Sequence, residues 1–179
     1  MTEKRDRFHE LVQDIEVAMF TTRRADGFLV SRPMATQVLS DGADLWFVTS
    51  KDSPKLSEIA NDPHVNLAYY KDRTREWISA SGTARVTDDR AKIRELWRPD
   101  WRAWFGDEGG PNDGTADDPR IVLIAVDLRF AQYMQVKLSR VYTLSREKRT
   151  PRLIVITFFF SRSTAGVLIV VEGDRNSSE

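Results

Sequence analysis

Apolar residues at the start of the chain recur with the spacing of an α-helix. Between Glu3 and about Glu16 they fall three or four positions apart, with charged residues between them; they are Phe8, Leu11, Val12 and Ile15. This pattern predicts an amphipathic helix that lies with its apolar side on a core. From Val17 onward the period changes, because short runs of β-branched and aromatic residues alternate with turn residues. Such runs are typical of β-strands.

Seven runs have the composition of β-strands. They cover residues 17–22, 28–39, 44–49, 65–70, 76–87, 120–127 and 130–143. Asp-Gly pairs separate the first three runs, which predicts an antiparallel meander. A parallel α/β sheet is excluded because strands and helices do not alternate regularly. The pattern predicts a mainly β fold with flanking helices (α+β), in which an antiparallel sheet closes into a split β-barrel and leaves few exposed strand edges.

Two shorter helices are predicted between the strands. The first can be capped by Ser53, has Pro54 in its first turn and ends at Asn61-Asp62-Pro63. Its expected buried side consists of Leu56, Ile59 and Ala60. The second begins at Asp88-Asp89 and presents an apolar face formed by Ile93, Leu96 and Trp97. The Gly- and Asp-rich segment 106–119 that comes later is expected to be a solvated loop.

Composition narrows the functional classes. The length of 179 residues is typical of one domain. The 27 Lys and Arg residues balance the 27 Asp and Glu residues, so no nucleic-acid partner is expected. Cysteine is absent and the two histidines lie far apart in sequence, which excludes disulfides and gives no support for a metal site. Because no charged-then-apolar leader is seen, a cytoplasmic location is expected.

The most informative stretch runs from Ser31 to Lys55. A phosphate monoester is held by cations, hydroxyl donors and free backbone N–H groups that converge on it. Arg32 can supply a planar, bidentate fork. Thr49 and Ser50 can supply hydroxyls at the end of a strand. Lys55 lies in the first turn of a predicted helix, where unpaired N–H groups and the helix dipole favour an anion.

Pro33 and the strand-end residues also have simpler interpretations. Pro33 lacks a backbone N–H and suits an edge or bulge, where a ligand could approach the backbone. Yet Arg32 can be an ordinary surface arginine, and Ser53 can be a plain helix cap. Spacing alone leaves both interpretations open. No Ser-His-Asp set, carboxylate pair or phosphate-binding P-loop stands out in the sequence, so no catalytic residue is predicted.

Taken in order, these motifs resemble a known family. They are the Arg-Pro-Met strand, the Leu-Trp-Phe-Val-Thr-Ser strand, the helix that carries Lys55 and the junction Asn61-Asp62-Pro63-His64-Val65. With the aromatic helix and acidic loop that follow, they are similar to the pyridoxamine 5′-phosphate oxidase-like split barrels. Within these, the chain looks closest to the bacterial general stress proteins. The resemblance covers about residues 5–145 in collinear order.

The resemblance implies an FMN-binding split barrel that forms a homodimer, with FMN, or alternatively FAD, at the subunit interface. The cofactor-binding residues that it implies are Arg32, Pro33, Met34, Thr49, Ser50, Lys55, Trp97 and Trp101. The charged and hydroxyl side chains would hold the phosphate, and Pro33 and Met34 would lie near the isoalloxazine ring. The two tryptophans, with Phe105, would form a hydrophobic wall over the flavin or else belong to the core.

The family resemblance also implies an FMN-dependent oxidoreductase that acts on a small-molecule electron donor or acceptor. Two alternatives stay open: a non-catalytic flavin-binding sensor or storage protein, and a split barrel that uses deazaflavin F420 or haem. Oxidation of pyridoxamine phosphate is not expected. Enzymes with that activity carry a C-terminal Arg and His motif, and no histidine follows His64 in this chain.

The chain is expected to divide into a split-barrel domain, residues 1–145, and a C-terminal tail, residues 146–179. In the tail, two strongly apolar runs, 153–160 and 167–171, follow a basic stretch. Together they approach the length of a membrane span, but Arg162 near their middle makes a span costly, so no membrane partner is expected. The alternatives are a hairpin that packs on the barrel or on the partner subunit, and a partly disordered terminus.

Overall fold

The computed structural model describes the backbone of residues 2–135, 140–146, 153–159 and 169–171, and the side chains of residues 6–134. The helices are α1 (Thr2–Ile15), α2 (Pro54–Asn61), α3 (Arg90–Leu96) and α4 (Arg102–Phe105), and a 3₁₀ turn (Pro99–Trp101) precedes α4. The strands are β1 (Val17–Arg23), β2 (Leu29–Ala35), β3 (Leu45–Ser50), β4 (His64–Lys71), β5 (Glu76–Thr87), β6 (Ile121–Gln135), β7 (Arg140–Arg146), β8 (Leu153–Phe159) and β9 (Ile169–Val171).

The first six strands form a curled antiparallel half-barrel. Neighbouring strands pair in the order β2-β1-β4-β5-β6, and β3 pairs with the first half of β6. Between β2 and β3 the sheet is nearly open, since a single bridge joins Thr36 to Phe47 and the Gln37 N–H donates to the Trp46 carbonyl at 2.9 Å. The prediction of a mainly β split barrel with flanking helices is confirmed, and the split lies beside Arg32.

The predicted meander of the first three strands is wrong at β3. This strand pairs with β6 from Leu45↔Val126 to Ser50↔Ile121 rather than with β2. The physical reason is burial on both faces, because Trp46 and Phe47 point to opposite sides of the strand and both are buried. A position between the barrel interior and the α3 layer satisfies both side chains, whereas a position at the end of a meander leaves one face exposed.

Residues 120–143 do not form two strands that meet at residue 128, as the pattern predicted. One 15-residue strand, β6, runs through this region with a bulge at Arg129, where the register with β5 shifts between Ser81 and Gly82. Gly82 permits this close approach, because a Cβ atom there would lie 2.3 Å from the carbonyl oxygen of Asp127. The bulge keeps the strand continuous while it bends around the barrel.

Two cores lie on opposite sides of β3 and β6. The inner core fills the half-barrel and includes Phe8, Leu11 and Val12 of α1, so the predicted apolar side of that helix is confirmed. The second core lies under α3 and includes the apolar residues Trp46, Ile93, Leu96, Trp101, Ile121, Leu123 and Ala125. Each fully buried large apolar side chain contributes about 1.5–3 kcal/mol relative to an exposed one, so both layers hold the sheet in place.

One carboxylate in the acidic loop is fully buried, which corrects the expectation of a solvated loop. Asp118 has no exposed surface and accepts hydrogen bonds from the backbone N–H groups of Gly114 and Arg120, each at 2.8 Å. Its Oδ2 also lies 2.7 Å from Nη2 of Arg120. Arg120 reaches Glu108 at 2.8 Å in addition. The turn before β6 folds the carboxylate inward, so that it anchors the loop to the barrel.

The described parts of the tail continue the sheet. Strand β7 pairs with the second half of β6, β8 pairs with β7, and β8 pairs antiparallel with β9. The residues that join β8 to β9 and the chain end lie outside the described residues. No helix within the described ranges is long and apolar enough to cross a membrane.

Candidate functional site

Arg32 lies on the inner face of β2 and reaches towards α2. Its Nη1 donates to the Thr22 hydroxyl at 2.9 Å, and its Nη2 donates to Glu58 Oε1 at 2.8 Å. The Thr22 hydroxyl in turn donates to Glu58 Oε2 at 2.5 Å. Thr22 and Glu58 are buried, whereas 26% of the Arg32 side chain remains exposed. The guanidinium is therefore fixed on one side and accessible on the other.

Lys55 occupies the first turn of α2 and points to the end of β3. Its ammonium group donates to the hydroxyls of Thr49 at 2.8 Å and Ser53 at 2.6 Å. Ser53 is the N-cap residue, as predicted, but its side chain makes no capping hydrogen bond. Burial lowers the pKa of Lys55, and the positive charge of Arg32 lowers it further, while Glu58 acts in the opposite direction.

The arrangement brings two cations, Arg32 and Lys55, close enough for their charges to interact, and one buried carboxylate, Glu58, pairs with Arg32. Glu58 balances one charge, and the other remains available for an anion. The hydrogen bond from Arg32 lowers the pKa of Glu58, although burial opposes this shift, so the carboxylate stays ionised at neutral pH. With a guanidinium fork, an ammonium group and nearby hydroxyls, the donors suit a phosphate monoester.

Sequence reasoning missed two members of this cluster, Glu58 and Thr22. The expected buried side of α2 included Ala60, but Ala60 is exposed and Glu58 is buried. One signal was available, since Glu58 follows Lys55 by three positions and the two side chains therefore share a helix face. Nothing in the sequence indicated that Thr22, on a strand 10 positions before Arg32, would join the same network.

The other residues that were predicted to bind the cofactor lie outside this cluster of hydrogen-bonded side chains. Pro33 lies exposed on the outer face of β2, and Met34 is buried in the inner core. Ser50 alternates with Thr49 along β3 and so points to the opposite side of that strand. Trp97 is half-buried beside the second core, and Trp101 is buried in it with its indole N–H donating to Gln37 Oε1 at 3.0 Å.

The outer face of β1, β4, β5 and the second half of β6 carries exposed apolar side chains. They are Val17, Met19, Tyr70 and Phe130. A band of hydrogen-bonded polar groups crosses the same face: the Thr21 and Ser31 hydroxyls lie 2.8 Å apart, and the Asn66 amide donates to Ser79 and Ser81. Residue types alternate along β5, with the hydroxyls of Ser79 and Ser81 outward and small residues such as Ala80 inward. Within the described residues, no group of three or more His, Asp or Glu side chains forms a metal-binding cluster.

Comparison with known proteins gives one sequence relative and several structural ones. The chain is 40% identical over 119 residues to Protein bli-3 of Neurospora crassa, and the match covers 65% of this chain but 57% of that protein. It is 27% identical to the general stress FMN/FAD binding protein of Xanthomonas citri, with a TM-score of 0.61 over 75% of this chain and 89% of that one.

The fold is shared still more widely. A pyridoxamine 5′-phosphate oxidase-related, FMN binding protein of Nostoc punctiforme superposes with a TM-score of 0.66 over 87% of this chain and 93% of that one, at 13% identity. This likeness shows the fold, which is that of the FMN-binding split barrels. The family model described as pyridoxamine 5′-phosphate oxidase like matches residues 3–150. The chain therefore belongs to the pyridoxamine 5′-phosphate oxidase-like family.

Proposed function

We propose that this protein binds FMN and acts as an FMN-dependent oxidoreductase on a small-molecule electron donor or acceptor. The observation that carries the proposal is the convergence of Arg32 and Lys55, whose two positive charges are offset by one buried carboxylate. Such a pair is costly to hold together without an anion. A phosphate group supplies the missing negative charge and accepts several hydrogen bonds at once.

Each residue of the cluster has a defined part in holding the cofactor. Arg32 presents the guanidinium N–H groups that Thr22 and Glu58 do not use, and Lys55 adds a second cation from the first turn of α2. Thr49 offers its hydroxyl at the end of β3, whereas Ser50 can contribute to the phosphate only from the other side of that strand. The open edge of β2 at Pro33 and Met34 lets the backbone face the isoalloxazine ring.

Bound FMN supplies the hydride or electron transfer, and the protein supplies binding and orientation. Chemistry that the cofactor supplies fits a site in which no described side chain is arranged as a general acid or base. A terminal phosphate monoester carries more charge than the diester phosphates of FAD, so the cation pair favours FMN. The protein of Xanthomonas citri is named for both flavins, which makes FAD the second ligand to compare.

We further propose that the protein is a homodimer in which the flavin lies between the subunits. The exposed apolar residues of the outer face support this arrangement, since exposed apolar surface is characteristic of subunit contacts. Trp97 and Phe105 would then face the partner's flavin, and Trp101 would support them from the core. Light scattering is expected to give twice the chain mass of 20.6 kDa; a monomer at micromolar concentration would rule out this assembly.

Turnover separates an oxidoreductase from a flavin store. We expect protein loaded with FMN to oxidise NADH or NADPH faster than the same concentration of free FMN, with the flavin absorbance bleaching in anaerobic solution and returning in air. The control is the same protein stripped of flavin. If the protein is fully occupied by FMN but oxidises neither NADH nor NADPH faster than free FMN does, even with an artificial electron acceptor present, the result would instead favour a non-catalytic flavin-binding protein.

A further inference from the structure

Glu58 is the carboxylate that pairs with Arg32. Its two carboxylate oxygens accept from different groups: Oε1 from Arg32 at 2.8 Å and Oε2 from Thr22 at 2.5 Å. Since Thr22 also accepts from Arg32 at 2.9 Å, the three side chains form a closed ring of hydrogen bonds. Two contacts to two different nitrogens fix both the position and the plane of the guanidinium.

The geometry points to Glu58 as a positioning residue that holds Arg32 beside Lys55 and thereby sets the preference for a phosphorylated flavin. This inference rests on the proposed FMN site and goes beyond it. Neither the family match nor the resemblance read from the sequence assigns a role to this position.

Electrostatics explains why a carboxylate is needed there. Arg32 and Lys55 repel one another, and Arg32 lies at the open split of the barrel with a quarter of its side chain exposed. Without a fixed partner, its long side chain would gain rotamer entropy and hydration by turning towards solvent. Glu58 holds Arg32 in place by accepting its hydrogen bond at 2.8 Å, and it lies three positions after Lys55 on the same face of α2. One helix therefore supplies one cation directly and fixes the other through a carboxylate.

The fixed position of the Arg32 guanidinium also explains why the site would prefer FMN to riboflavin. A guanidinium that is already in place loses little conformational entropy when the phosphate arrives, so its hydrogen bonds contribute fully to affinity. Riboflavin has the same ring and ribityl chain but no phosphate. A positioning role thus changes the affinity for FMN and leaves that for riboflavin almost unaltered, whereas a merely structural role changes both alike.

The test is the ratio of the dissociation constants for riboflavin and FMN, measured by flavin fluorescence in Glu58→Gln and in the wild-type protein. We expect the Kd for FMN to rise about tenfold or more, the effect of weakening a charged hydrogen bond, with the Kd for riboflavin within about twofold. The matched control is Glu95→Gln. Glu95 follows Lys92 on α3 by three positions, as Glu58 follows Lys55 on α2, and contacts it at 2.7 Å, but it is exposed and lies outside the cluster. This substitution should leave both dissociation constants unchanged.

A second variant tests the same role even if Glu58→Gln does not fold. Thr22→Val keeps the shape and both charges but removes the hydroxyl that closes the ring, and we expect a smaller loss of the same ratio. An unchanged ratio in both variants, or tighter FMN binding by Glu58→Gln, would overturn the positioning role while leaving the FMN site intact. Equal binding of FMN and riboflavin by the wild-type protein would overturn both the site and the role of Glu58.

Discussion

Replacing Asp118 by alanine is expected to destabilise the protein by about 3–5 kcal/mol, the usual cost of removing one partner of a buried ion pair. The substitution leaves the nearly buried Arg120 paired with Glu108, which is exposed. It also removes the acceptor for the backbone N–H of Gly114. Because these contacts anchor the loop to the start of β6, denaturant unfolding should show the loss directly.

The neighbouring Asp117 provides the control for this prediction. Its carboxylate pairs with Arg94 at 2.6 Å, but both side chains are more than half exposed, so Asp117→Ala should change the free energy of unfolding by about 1 kcal/mol or less. Equal effects of the two alanine substitutions would contradict the assignment of Asp118 as the anchor of the loop.

The same carboxylate gives the stability a pH dependence. Hydrogen bonds from Arg120 lower the pKa of Asp118 to about 2, whereas the unfolded chain has the ordinary value near 3.8. The folded state therefore holds this proton less tightly than the unfolded state, and the stabilisation is complete above about pH 4. It is lost as the pH falls towards 2, and Asp118→Asn should remove this part of the acid dependence.

Replacing Arg32 or Lys55 by alanine is expected to weaken FMN binding by about 1.5–3 kcal/mol each, the contribution of a hydrogen bond to a charged group. Riboflavin binding should change little, because neither side chain is assigned to the ring. The effects in a double variant should not add, since the two cations belong to one network with Glu58. Flavin fluorescence titrations measure the dissociation constants of FMN and riboflavin for the wild-type protein and for each variant under one set of conditions.

Lys51→Ala is the matched control for the lysine. Lys51 lies four positions before Lys55 and is exposed, so the substitution removes the same charge near the site without touching the cluster. We expect its FMN affinity to stay within about twofold of the wild-type value. Wild-type affinity in both Arg32→Ala and Lys55→Ala would mean that the phosphate binds elsewhere.

Local patterns predicted the elements of the fold well but not their pairing. The 3.6-residue spacing located α1, and the strand-like composition of residues 76–87 located β5. The position of β3 depends instead on where Trp46 and Phe47 can both be covered, which is a property of the whole sheet. The continuity of β6 depends on a bulge that Gly82 permits from the opposite strand, and no run within residues 120–143 contains that information.

In the candidate site, too, local patterns identified single residues but not the contacts between them. Arg32, Thr49 and Lys55 were identified from residue type and strand or helix position, and the structure brings them together around α2. Glu58 was assigned to no role, because a glutamate on a short helix is usually solvated. Only the fold places its carboxylate against β1 and β2, where it contacts the side chains of Thr22 and Arg32. Partners that arise from tertiary contact leave no mark in local spacing.

The central claim is that the cluster of Arg32 and Lys55 holds the phosphate of FMN. Parallel titrations of the wild-type protein with FMN and riboflavin test it most directly, because the two ligands differ only in that phosphate. We predict that FMN binds at least about tenfold more tightly, the least that one charged hydrogen bond contributes, and that added salt narrows the difference. Equal affinity for the two flavins at low salt would contradict the claim.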